Sequence, residues 1–216
     1  MSTVAEPLAD EPVDVPLLGS ERVFDGRVWD VRRDAFELGG ARIEREYVDH
    51  PGAVAVLALD DDDRAFLIKQ YRHPVRTREW EIPAGLLDVH GEDPLAAAKR
   101  ELAEEADLEA SEWAVLVDFF TSPGGSDEAI RIYLARGLTA TADVFAREDE
   151  EADMEIRWVP LDECVDAVLS RRLQNPSLAI GVLAAHTART RAWQSLGPAD
   201  AAWPGRSTPR REPAAP

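Results

Sequence analysis

The apolar positions of the chain change period several times, and each change marks an element. Residues 19–50 carry β-formers at Val23, Trp29, Val31, Phe36 and Leu38, with Gly39-Gly40 as a turn signal between two runs. The second run, residues 41–48, alternates apolar and charged residues only in part, at Ile43, Arg45 and Tyr47. The pattern predicts a small antiparallel sheet of three strands, too small to stand alone. Residues 53–59 are almost continuously apolar, as in a strand buried on both faces. A charged turn at 60–64 leads into a returning strand at 66–71, and 113–120, 130–135 and 154–159 read as further strands. Asp93-Pro94 opens a helix that runs through Ala106, with Asp as N-cap and Pro in the first turn. Two more helices are expected, at 161–171 and from 176 to about 191. Strands interrupted by helices at irregular spacing predict an α/β layered fold.

Proline and charge set the boundaries. Residues 1–18 hold Pro7, Pro12 and Pro16 among acids and small residues and read as a disordered leader. Residues 19–50 form the small sheet, 51–195 the main domain, and 196–216, with five prolines, a loose tail. The formal charge is −18, of which the leader contributes −4 and the tail +1, so the body carries −15. That excludes a generic nucleic-acid binder, which needs a basic face. A phosphate substrate stays possible, because carboxylates can hold a cation that meets the phosphate in their place. The single cysteine, Cys164, precludes an internal disulfide framework and fits a reducing compartment. The N-terminus has neither the basic start nor the apolar core of a secretory signal, and no run reaches the roughly 18 apolar residues of a membrane span. A cytoplasmic protein without membrane partners is expected.

Chemistry first shows in the hexapeptide Arg100-Glu101-Leu102-Ala103-Glu104-Glu105. At about 100° per residue, with Glu101 at 0°, Glu105 falls near 40° and Glu104 near 300°, so the three carboxylates share one helix face. Leu95 and Leu102 form the stripe expected to be buried beside it, while Ala97 and Ala98 flank the carboxylates and are expected to leave open room there. Arg100 is one turn before Glu104 and can pair with it. Taken alone, the hexapeptide reads at least as well as an acidic solvated face. Its context adds a loop shaped by Pro83 and Gly85, and a further acid at Glu92. Hard oxygen donors grouped this way suit Mg²⁺ or Mn²⁺, not zinc.

The run from Gly85 to Leu108 resembles the box of the Nudix hydrolases at Gly85, Glu92, Arg100, Glu101, Leu102, Glu104, Glu105 and Leu108. Two departures stand out: six residues instead of five separate Gly85 from Glu92, and Asp107 replaces a glycine. The first implies a one-residue bulge near Val89-His90; the second removes a flexible backbone position after the helix, though Asp tolerates left-handed geometry. The resemblance implies a Nudix-type α/β/α sandwich with a mixed sheet, plus the small N-terminal antiparallel sheet. It implies Glu101 and Glu105 as main metal ligands, Glu104 and the Ala84 carbonyl as further ones, Arg100 as the group that orients the carboxylates, and Glu92 as a brace for the loop.

Within the family, Glu81-Ile-Pro-Ala-Gly85 and Pro123, fifteen residues beyond Leu108, resemble the ADP-ribose pyrophosphatase group. That likeness implies Mg²⁺-dependent hydrolysis of ADP-ribose to AMP and ribose 5-phosphate. It implies substrate contacts from Arg45, Arg72, Glu81 and Glu128, and a homodimer joined through the N-terminal sheet. It also implies a general base on an acidic segment after the box, with Glu151 first and Glu150 second. Two alternatives stay open: another nucleotide sugar or dinucleotide as substrate, and a non-catalytic module that senses ADP-ribose. His50, His73, His90, His186, Cys164, Trp158 and Trp193 are expected to be structural.

Overall fold

The computed structural model describes residues 7–142 and 154–206. The chain forms two compact units that divide between Asp49 and His50. The first contains an antiparallel sheet of β1 (Leu17–Phe24), β2 (Asp30–Leu38) and β3 (Ala41–Asp49), in that order. Gly39 and Gly40 make the β2–β3 turn with φ of +61° and +78°, which glycine adopts without a Cβ penalty. Arg33 crosses all three strands, 3.0 Å from Glu21 and 2.6 Å from Glu46. No residue of these strands is buried, and Val23, Phe24, Trp29 and Leu38 all lie exposed.

The second unit is built on β4 (Ala53–Ala58), every residue of which is buried. It pairs in parallel with β9 (Ala129–Ala140) and antiparallel with the short β7 (Ala84–Leu86). Beyond β9 lie β8 (Leu108–Phe120) and the two-residue β11 (Gly197–Pro198), completing a mixed sheet in the order β11-β8-β9-β4-β7. A second sheet, β10-β5-β6, contains β5 (Arg64–Arg72), β6 (Thr77–Glu81) and β10 (Glu155–Pro160). Alternate residues of β4 point to opposite faces, and two cores result. Val54, Val56 and Ala58 pack with α1 (Pro94–Ala106), through Ala97, Ala98, Leu102 and Ala106. Ala55 and Leu57 pack with α2 (Leu161–Leu169) and α3 (Pro176–Thr190), through Leu161, Val165, Leu178 and Val182. Helices thus cover both faces, the layered arrangement expected.

Three strands were not visible in the pattern. β6 is polar, Thr-Arg-Glu-Trp-Glu, and β7 and β11 are too short to show a period. The proline-rich end departs further from expectation, for residues 197–206 are held rather than loose. β11 pairs with β8, Trp203 is buried, and the Arg131 guanidinium donates to the carbonyls of Ala201 (2.6 Å) and Ala202 (3.1 Å). Leu17 and Leu18, assigned above to the leader, already belong to β1.

Among the described residues no helix is long and apolar enough to cross a membrane. Cys164 is 1% exposed, and burial pushes its thiol up to about 11. The thiolate, the reactive form, is therefore scarce until strongly alkaline pH. Native protein is expected to leave a thiol-specific reagent unreacted at pH 8 and to release one equivalent on denaturation; rapid native labelling would contradict this packing.

Candidate metal and phosphate site

The site is assembled by α1 and the loop before it. The Asp93 side chain accepts from the backbone N–H groups of Leu95 (2.9 Å) and Ala96 (3.2 Å), fixing the start of the helix. Its end is set by Asp107, at φ +53° and ψ +37°, whose N–H returns to the Ala103 carbonyl. Asp thus takes the left-handed position that the resemblance assigns to glycine. The extra residue of the loop is absorbed by a tight turn, Glu92 N–H to the Val89 carbonyl at 3.1 Å, with Gly91 at φ +79°.

Ala97 and Ala98 need correction. They do not leave room beside the carboxylates but are completely buried against the sheet. Their small side chains let α1 approach β4 closely, and that approach brings the carboxylates to the backbone of β7. The Ala84 N–H donates to Glu105 Oε2 at 3.0 Å. A Cβ on Gly85 would fall 1.9 Å from Glu101 Oε1, so only glycine leaves space for that carboxylate.

Arg100 ties the group together. Its Nε and Nη2 donate to the two oxygens of Glu92, each at 3.1 Å, and Nη1 donates to Glu101 Oε1 at 2.6 Å and Glu104 Oε2 at 3.0 Å. These hydrogen bonds hold Glu92 below the usual carboxylate range and raise Arg100 further above its already high value. Burial pushes Glu101 up, and Arg100 offsets only part of that. Glu101 is therefore a carboxylate whose charge is incompletely compensated.

The remaining candidates fall into separate places. Arg72 forms a bidentate pair with Glu81, at 2.8 and 2.6 Å, across the β5–β6 hairpin, and Glu81 is 3% exposed. Burial, with Glu81 beside it, pushes Glu79 up as well, a carboxylate that sequence reasoning passed over because β6 itself was not seen. Glu128 accepts from the Thr121 hydroxyl at 2.7 Å and lies 3.2 Å from His50 Nε2. Arg45 belongs to the first unit, where its guanidinium donates to the Glu44 carbonyl. Glu150 and Glu151 lie outside the described residues.

Such an arrangement, a helix carrying three carboxylates over a glycine loop, can be compared with known proteins. A family model described as the NUDIX domain matches residues 49–177. The chain belongs to the Nudix family. An ADP-ribose pyrophosphatase of Mycobacterium tuberculosis is 44% identical over 196 residues, 90% of this chain and 94% of that protein. A methanol dehydrogenase activator of Bacillus methanolicus is 38% identical over 164 residues, 76% of this chain and 88% of that one. Among solved structures, one titled as an ADP compounds hydrolase superposes with a TM-score of 0.70 at 21% identity, covering 85% of this chain and 98% of that chain, and supports the Nudix fold.

Nudix ADP-ribose pyrophosphatases depend on a divalent metal. The donors present fit such an ion: carboxylate oxygens from Glu101, Glu104 and Glu105, no nitrogen or sulfur ligand, and the Gly85 cradle that fixes Glu101. Among the described residues no three acidic, histidine or cysteine side chains converge as a coordination shell. Arg100 Nη1 donates to both Glu101 and Glu104.

Proposed function

We propose that the protein is a Mg²⁺-dependent ADP-ribose pyrophosphatase that hydrolyses ADP-ribose to AMP and ribose 5-phosphate. The observation that carries this reading is the carboxylate face of α1 locked onto the Ala84-Gly85 backbone. The substrate is taken from the relative of that name at 44% identity. Mg²⁺, with Mn²⁺ as a substitute, would be held by Glu101, Glu105, Glu104 and the Ala84 carbonyl, and would supply charge neutralisation of the diphosphate and an acidified water. Arg72, aligned by its bidentate pair with Glu81, and Glu81 are assigned to contact the substrate. Glu128, which accepts from the Thr121 hydroxyl, is likewise proposed as a substrate contact. Arg100 and Glu92 orient the carboxylates. A cytoplasmic location is proposed, in keeping with the single cysteine of the sequence.

Proton removal from the attacking water is assigned to Glu151, with Glu150 as the neighbour in register. Glu151→Gln is expected to cut turnover at least a hundredfold with KM nearly unchanged, because a general base acts in the transition state. If Glu150→Gln loses activity and Glu151→Gln does not, the register is off by one; if both stay active, the base is elsewhere.

The assembly is proposed to be a homodimer joined through β1–β3. Apolar side chains there are exposed, and the sheet has no core of its own. Light scattering is expected to give twice the chain mass of 23.8 kDa. An active monomer would contradict it. Substrate choice is tested with a panel of nucleoside diphosphate compounds: ADP-ribose is expected to have the highest kcat/KM. A higher value for another nucleotide sugar or a dinucleotide would move the assignment within the family.

A further inference from the structure

His50, expected to be structural, joins two loops on which the proposed chemistry depends. Its side chain is 6% exposed, and Nδ1 accepts the Gly52 N–H at 3.0 Å. A ring nitrogen that accepts from an amide carries no proton, so the proton of the neutral imidazole sits on Nε2. Nε2 lies 3.2 Å from Glu128 Oε1, while Glu128 Oε2 accepts from the Thr121 hydroxyl at 2.7 Å. The backbone adds a second tie, His50 N–H to Asp127 Oδ1 at 2.8 Å. On the other side stands Gly52, whose carbonyl accepts the Leu87 N–H at 3.0 Å and extends the β4–β7 ladder that holds Gly85. Gly52 has φ +85°, and a Cβ there would fall 3.2 Å from the Ala129 carbonyl oxygen. The loop 121–128 and the loop of the carboxylate cradle are thus fastened to one short segment, residues 50–52.

We propose that His50 is a positioning residue for the substrate: its neutral imidazole, donating from Nε2, fixes the carboxylate of Glu128 in the orientation in which it meets a hydroxyl of the nucleotide sugar. A single hydrogen bond from Thr121 would leave that carboxylate free to turn about its last carbon–carbon bond. A donor on the other oxygen fixes its plane. The Glu128 side chain stays 23% exposed, so the lone pairs not used by Thr121 and His50 are open to a ligand. An ionised carboxylate accepts and does not donate, and its charge repels a diphosphate. What it can recognise on ADP-ribose is therefore a donor, of which the ribose hydroxyls are the most numerous. Such a contact is made alike in the bound substrate and in the transition state, so its loss raises KM and leaves kcat. This inference rests on the proposed function, and goes beyond it by naming the group that Glu128 reads and the residue that aims it.

The test uses two substitutions in the full-length protein that each keep half of the imidazole's contacts. His50→Asn keeps an acceptor for the Gly52 N–H, in the manner of an Asx turn, and loses the reach to Glu128. His50→Gln keeps a donor near the place of Nε2 and loses the Gly52 contact. His50→Asn is expected to raise KM for ADP-ribose about tenfold or more, the loss of a hydrogen bond to a charged group, with kcat within about threefold of wild type. The Kd of a non-hydrolysable α,β-methylene analogue, measured by calorimetry, should rise by the same factor. His50→Gln should stay within about threefold of wild type in both. In Glu128→Ala protein, itself expected to show the raised KM, adding His50→Asn should change KM less than about twofold, since nothing remains to be positioned. Independently of any folding defect, ¹⁵N-histidine spectra of the wild type are expected to show an unprotonated Nδ1 and a protonated Nε2 at His50, identified by its loss in His50→Gln. The opposite tautomer overturns the proposal, as do an unchanged KM and Kd in His50→Asn, equal losses in both variants, or additive losses with Glu128→Ala. If wild type hydrolyses ADP-ribose and His50→Asn behaves like it, this inference fails and the proposed function stands. If wild type neither binds the analogue nor hydrolyses ADP-ribose, both fail.

Discussion

Glu101→Gln is expected to lower turnover by several orders of magnitude. Two effects act together. The carboxylate proposed to meet the ion would lose its charge, which would weaken the ion's hold. The electrostatic balance facing the diphosphate changes as well, at the point where charge develops in the reaction. Geometry offers no compensation, because Gly85 holds the Glu101 side chain in one place and Glu104, 40% exposed, has no such cradle. The amide of Gln is nearly isosteric, so the fold is expected to survive. Activity near wild type with unchanged Mg²⁺ dependence would refute the role given to Glu101.

The largest expected loss of stability lies at Asp118, the partner of a buried arginine. Arg131 is 3% exposed and forms a bidentate pair with Asp118, 2.8 Å at each contact. Its guanidinium also stacks 4.9 Å from the ring centre of Trp203 and holds two carbonyls of the chain end. Asp118→Ala would leave that buried cation without its counter-charge, at a cost of about 3 kcal/mol, the lower end for a broken buried pair because Asp118 is partly exposed. In a domain of this size that corresponds to a drop in Tm of roughly 6–12 °C. The double change Asp118→Leu with Arg131→Met is expected to recover part of the loss, since it removes the stranded charge. A single variant with wild-type Tm would show that the pair is not what holds residues 197–206.

Much of this architecture could be read from the chain because its signals are strong. The apolar run of β4 and the Asp-Pro start of α1 each have one physical reading, and the structure follows them, whereas the acid spacing on that helix, taken alone, read at least as well as a solvated face. The failures share a cause too. Ala97 and Ala98 looked like open ground because small size was read as space, whereas in a helix packed on a sheet small size permits contact. The chain end looked loose because proline was counted and Trp203 was not. Its anchor, Arg131, lies some seventy residues earlier, and no local pattern links the two. The bidentate Arg72–Glu81 pair depends on β6, whose polar sequence hid the strand. The Arg100 network shows the same limit from the other side: the one-turn spacing to Glu104 was visible, but the reach back to Glu92 required the turn at Val89–Glu92.

The identity of the products formed from ADP-ribose tests the proposed function most directly. Purified protein with Mg²⁺ is expected to yield AMP and ribose 5-phosphate in equal amounts, resolved by chromatography, and the reaction should stop when the metal is chelated. The Glu105→Gln protein should be nearly inactive under the same conditions. Hydrolysis no faster than with Glu105→Gln, or products other than AMP and ribose 5-phosphate, would contradict the proposed function.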